Sequence, residues 1–137
     1  MTPDAAREEL SRRADAIEGG YEMMLAYAAQ GLPSDRGAAN STQLRDHLQR
    51  FEAALTGLAQ AYRGCAVALG VGPADALDQF LKVLEADAAA TQAALRLVLG
   101  QPGISSQMID NINASIHVRA LLTDVFVVDE ILRGAKS

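Results

Sequence analysis

The sequence predicts an all-α protein, an antiparallel up-down-up-down four-helix bundle built from one domain spanning residues 1–137. Three observations carry that expectation. Leu44, Leu48, Phe51, Leu55, Leu58, Tyr62, Cys65 and Leu69 recur at alternating steps of four and three, a spacing that draws one apolar seam down a helix and has no strand equivalent. Three further segments carry seams of the same kind, separated by glycine and proline. The chain is also rich in alanine, lacks tryptophan and has only three Phe and three Tyr, which favours close-packed helices over a sheet sandwich. The helices are expected at about residues 3–31, 41–70, 73–99 and 105–133, each about 40 Å long. Connections this short make successive helices run antiparallel.

The first helix is expected to open at Thr2, with Pro3 in its first turn and Asp4, Glu8 and Glu9 near its positive end. Its seam reads Leu10, Ala14, Ile17, Tyr21, Met24 and Ala28, and Gly31 and Pro33 end it. Gly19-Gly20 interrupts the middle, where each glycine costs about 1 kcal/mol relative to alanine. A kink or a closely approaching neighbour would account for the pair. A polar loop over residues 32–40 follows, and Asn40 or Ser41 is placed to cap the second helix, with Gln43 completing a capping box.

Beside the main seam of the second helix runs a stripe of small residues, Ala54, Gly57, Ala61, Gly64 and Ala68. Small side chains in register let a neighbouring helix approach closely, so this stripe is expected to form the tightest helix contact. Its functional alternative is a slot for a flat apolar ligand. Gly70-Val71-Gly72-Pro73 closes this helix and opens the third, whose seam is Leu77, Leu81, Leu84, Ala88, Thr91, Leu95 and Val98. Gly100, Pro102 and Gly103 then break the chain, and Ser105 or Ser106 caps the fourth helix.

The fourth helix is anomalous because it carries two apolar stripes. Ile109, Ile112, Ile116, Thr123 and Val127 form the expected core stripe; Val118, Leu121, Val125, Val128 and Leu132 form a second, nearly opposite at 100° per residue. A surface helix needs one apolar face, and large exposed apolar patches mark interfaces. The second stripe is therefore read as a partner surface, most simply in a self-complementary homodimer. Between the stripes lies a polar line, Asp110, Asn113, His117 and Asp124, either a solvated strip or a pH-sensitive or ligand-contacting patch. In an up-down bundle Tyr21 would share a level with Thr91, and Tyr62 with Thr123, each pair a possible hydrogen-bonded layer.

Composition and motifs exclude more chemistry than they support. A net charge of −5 argues against a nucleic-acid surface, which needs concentrated Lys and Arg. The single cysteine, Cys65, excludes an intramolecular disulfide and any multi-cysteine metal site. No uncharged apolar run reaches membrane-span length, no apolar leader core follows Met1, and the expected location is cytoplasmic. A di-iron site needs Glu three residues before an inward His, whereas Leu44 precedes His47 and Ala114 precedes His117. Haem would have only His47, His117, Met23, Met24 and Met108 as axial candidates, residues with ordinary structural explanations. A histidine phosphotransfer role is weakened by Asp46 beside His47, which would repel a phosphoryl group. Neither a nucleophile elbow nor a phosphate-cradling glycine loop is present.

The resulting expectation is a non-enzymatic helical interaction protein, an adaptor, regulator or chaperone-like bundle, without metal or cofactor and self-associating through the fourth helix. The alternative is a bundle that binds a small apolar or flat ligand among Tyr21, Met24, Gly57, Tyr62 and Gly64.

Overall fold

A computed structural model of the chain describes residues 2–135. Among these residues the fold is all-helical, with six helices: α1 (Pro3–Ala29), α2 (Ser41–Leu55), α3 (Leu58–Leu69), α4 (Ala74–Leu99), α5 (Ser106–Ala114) and α6 (Ile116–Gly134). Two of the four expected helices are thus each divided in two, at Thr56-Gly57 and at Ser115. Helix α1 packs closely against α2, α3 and α5, while α4 packs against α2, α3 and α6. Helices α1 and α6 meet less closely and leave a groove between them.

Local signals set most element ends. The Thr2 hydroxyl accepts from the Ala5 amide at 3.1 Å and Pro3 stands in the first turn of α1. Gly70, at φ +67°, ends α3 in the left-handed conformation, with the Val71 amide donating back to the Ala66 carbonyl. Ser105 caps α5 by accepting from Met108. Asn40 precedes α2 without making the expected side-chain cap; its amide donates instead to Gln30. The capping box is therefore not formed.

The first division follows from Gly57, whose φ of +75° a side chain would resist. The carbonyls freed there find partners on both sides. Arg13 of α1 donates to the Ala54 and Thr56 carbonyls at 2.8 and 2.6 Å, and Gln92 of α4 donates to the Glu52 carbonyl and the Thr56 hydroxyl at 3.0 and 2.8 Å. Satisfied in this way, the break leaves the seam in phase, and Leu44 through Cys65 are all buried. The stripe of small residues does not form the tightest contact, because nothing lies within 4 Å of a Cβ built on Gly64. Among the helical glycines the closest approach is at Gly20, where an added Cβ would come within 2.7 Å of the Phe51 side chain. Close approach by a neighbour explains the glycine pair.

The second division shifts the phase. Ser115 adopts an extended conformation and caps α6 by accepting from the Val118 amide at 3.3 Å. Ile109 and Ile112 of α5 are buried, Ile116 is 75% exposed, and burial resumes at Val118, Leu121, Val125, Val128 and Leu132. One seam thus runs from Ile109 and Ile112 into Val118 through Leu132, displaced where the chain turns, and Ile116, Thr123 and Val127 of the expected core stripe are exposed.

This corrects the expected partner interface. All five of its residues lie inside the chain's own core, the most accessible, Val125, at 5% exposure. Burying a Val or Leu side chain contributes about 1.5–3 kcal/mol, so withdrawing all five to serve a partner would cost on the order of 10 kcal/mol, comparable with the whole stability of a domain. The expected hydroxyl layers do not form either. Thr91 donates within α4 and to the His117 carbonyl, Tyr62 donates to Asp129, and Thr123 donates within α6.

One end of the molecule is closed by a polar knot. Asp35, 1% exposed, accepts from Arg45 Nε and Ser41 at 2.7 Å each and from the Ile104 amide at 2.7 Å. Arg45 also donates to the carbonyls of Leu99 and Gln101, at 3.3 and 3.1 Å. Alongside, Tyr27 donates to the Ile104 carbonyl, and the Ser106 hydroxyl joins the Tyr27 carbonyl to the Leu32 amide. The end of α1 and the loops before α2 and α5 are thereby fastened together.

Candidate functional site

Across the rest of its length α1 is separated from α6 by the groove, which has two lobes. Helices α1 and α6 run antiparallel here, so Arg7 stands near Arg133 and Tyr21 near Leu122. An apolar lobe of about 180 Å³ is lined by Ile17, Tyr21, Leu122, Val125 and Phe126. A polar lobe of about 260 Å³ is bordered by Arg7, Ser11, Cys65, Leu132 and Arg133. Ala14, Glu18 and Asp129 line both lobes and mark their junction. The two volumes together reach the range of about 300–1,000 Å³ found for small-molecule pockets.

The groove exists because the core stripe of α1 is offset from the one expected. Ala6, Ile17, Gly20, Met24 and Tyr27 are its buried residues. Leu10, Ala14 and Tyr21, on the expected seam, are only half-buried and line the lobes instead. Opposite them, the Ser115 turn points Val118 through Leu132 inward and leaves Leu122 and Phe126 at the groove wall, Phe126 being 63% exposed.

Asp129 is the best-placed polar group. Tyr62, buried beneath it on α3, donates to Asp129 Oδ1 at 2.7 Å. Burial raises the Asp129 carboxyl above the usual range, against the hydrogen bond from Tyr62 and the charge of Arg133. Burial also pushes the Tyr62 hydroxyl up, reinforced by the Asp129 charge, so that Tyr62 remains a donor. The bordering guanidinium groups are engaged elsewhere: Arg7 donates to the Ala135 carbonyl at 2.8 Å and Arg133 to Glu130 at 3.1 Å. Cys65 sits at the floor of the polar lobe, its thiol pushed up by burial, as suits a small hydrophobe.

No protein-family model, curated protein or solved structure compared with this chain matches it.

Of the expected ligand-contact residues, the structure brings Tyr21 to the groove wall and Tyr62 beneath Asp129. Met24 is fully buried, Gly57 borders a separate hollow between the α2–α3 break and α4, and Gly64 is open to solvent. The set is therefore not one site. The expected polar line is also divided by the Ser115 turn. Asp110 and His117 are exposed, whereas the Asn113 amide is buried without a hydrogen-bond partner. Asp124 is 6% exposed with Oδ2 unpartnered. Burial and the neighbouring Asp87 of α4 push its carboxyl up to about 7. His47 is half-buried, with Nδ1 2.8 Å from the Gln43 carbonyl of its own helix.

Sequence reasoning assigned no site role to Glu18, Asp129, Leu122 or Phe126. Asp129 carried a signal, as the first of two acids that follow the apolar run 125–128. Arg13, ion-paired with Glu9, also caps the carbonyls freed by the divided helix. Among the described residues no cluster of three or more His, Cys, Asp and Glu side chains is assembled, and no helix is long and apolar enough to cross a membrane.

Proposed function

We propose that the chain is a non-enzymatic helical protein that binds a small amphipathic molecule in the groove between α1 and α6. The observation that carries this reading is the junction of an apolar lobe, walled by Tyr21 and Phe126, with a polar lobe through Asp129. Such a site buries an apolar body while a few fixed polar groups orient it. In the same reading α2–α3 and α5–α6 are two bent rods beside α1 and α4, an up-down-up-down bundle of four, working in the cytoplasm without metal or cofactor.

Nile red fluorescence tests the site. Wild-type protein is expected to enhance the emission of this neutral dye, and Leu122→Trp, which fills the apolar lobe, to abolish the enhancement while keeping the same thermal midpoint. Undiminished uptake by a folded Leu122→Trp variant would place the dye elsewhere and remove the support for the groove.

A second reading is self-association through the outer side of α6, favoured by the exposure of Val127 and Ile131 next to Phe126. Sedimentation of wild type against a Val127→Glu, Ile131→Glu double variant tests it. A dimer lost in the variant supports it, and a wild-type monomer at high concentration rejects it.

A further inference from the structure

We infer that the groove is selective for a small organic monocation, an amine or amidine carried on a compact apolar or aromatic body; this rests on the groove being the binding site. Three features converge on that chemistry. First, the two side chains with charge at the junction of the lobes are both carboxylates, Glu18 and Asp129. Glu18 makes no salt bridge among the described residues. Asp129 accepts from Tyr62 through Oδ1 and, among those residues, has no hydrogen bond to Oδ2.

Second, the guanidinium groups of Arg7 and Arg133 border the polar lobe alone, where Arg7 donates to the Ala135 carbonyl and Arg133 to Glu130. The apolar lobe itself is bordered by no cation. An anionic headgroup at the junction would face two carboxylates, whereas a cationic one would complete a charge-assisted hydrogen bond to Asp129. Third, Tyr21 and Phe126 supply aromatic surface to the apolar lobe, which holds an apolar body and attracts a cation placed over a ring face. A net charge of −5 favours the approach of such a ligand.

Selectivity is tested with three probes that share a phenyl group: phenethylamine, 2-phenylethanol and 3-phenylpropanoate, each titrated calorimetrically into the full chain. The expected order is amine tightest, at least tenfold ahead of the alcohol, with no measurable binding of the carboxylate. Added salt should weaken the amine alone. Asp129→Asn should bring the amine down to the alcohol's affinity. Glu18→Gln, an exposed change that leaves folding intact, should weaken the amine severalfold and leave the alcohol unchanged.

Equal affinity for amine and alcohol in wild type would overturn the charge selectivity and leave the groove standing. An unaltered amine affinity in a folded Glu18→Gln or Asp129→Asn variant would overturn it as well. Failure of all three probes, together with failure of Nile red, would remove both the selectivity and the site.

Discussion

The two ends of α1 are built in opposite ways. Near Tyr27 the helix is locked to α5 and its flanking loops, with the Asp35 carboxylate met by a guanidinium, a hydroxyl and a backbone amide. From Arg7 to Tyr21 it faces α6 across a groove, where Asp129 has one hydrogen-bonding side chain and Glu18 has no ion-pair partner among the described residues. The difference teaches how unevenly one helix can be satisfied along its length. Complete satisfaction of buried polar groups fixes the frame at one end, and incomplete satisfaction at the other is what the proposed ligand would complete.

The most severe way to break this contrast is to open the closed end. Asp35→Ala removes the acceptor for Arg45, Ser41 and the Ile104 amide together, and should lower unfolding free energy by about 3–5 kcal/mol in urea titrations. A loss under 1 kcal/mol would mean the knot does not fasten the frame.

Acid–base behaviour separates the regions next. Asp124, held near 7 by burial and Asp87, binds its proton more tightly folded than unfolded. Its protonated form therefore favours the fold. That contribution is whole below about pH 4 and declines as pH rises through about 7. Asp129 is raised too and acts in the same direction. Asp35 has the reverse sign: Arg45 holds its carboxyl far below the usual range, so its contribution is present above about pH 4 and declines in stronger acid. Wild type should lose roughly 2 kcal/mol between pH 5 and pH 8 through Asp124, and Asp124→Asn should flatten that slope. A variant with the same slope would remove Asp124 as its source.

Between the two ends, Gly20→Ala should destabilise by about 1–3 kcal/mol, because the clash with Phe51 outweighs the helix-propensity gain of about 1 kcal/mol. Gly19→Ala, whose Cβ would lie 3.5 Å from the His47 ring, should be neutral or slightly stabilising. Equal thermal midpoints for the two variants would contradict the close approach. The smallest effect belongs to the groove: Phe126→Ala should shift stability by no more than about 0.5 kcal/mol while abolishing dye uptake.

Helical class and the position of most seams were legible because a four-three apolar spacing survives in composition alone. The phase of α1 was harder to read, since its core stripe passes through Gly20, a residue with no hydropathy signal, whose place in the core is revealed only by Phe51 filling the space. The α2–α3 break was hidden because its seam keeps phase from Leu55 to Leu58. The α5–α6 break was visible as two stripes but misread as two faces, because one continuous helix was assumed. Ser115, a good cap and a weak interior helix former, together with the confinement of one stripe largely to the first half and of the other to the second, was the available sign. The groove could not be found before these phases were known, as its walls are the residues that both seams leave over.

Ser115 also makes the molecule sensitive to chain length in a way that most surface turns are not. With α5 anchored by Ser106, one residue added just after this joint would turn everything beyond it by about 100°. That turn would carry Val118, Leu121, Val125, Val128 and Leu132 out of the core, a loss on the order of 10 kcal/mol, while the fastened end stays untouched. The joint therefore holds the length of the chain as strictly as a core position holds its side chain.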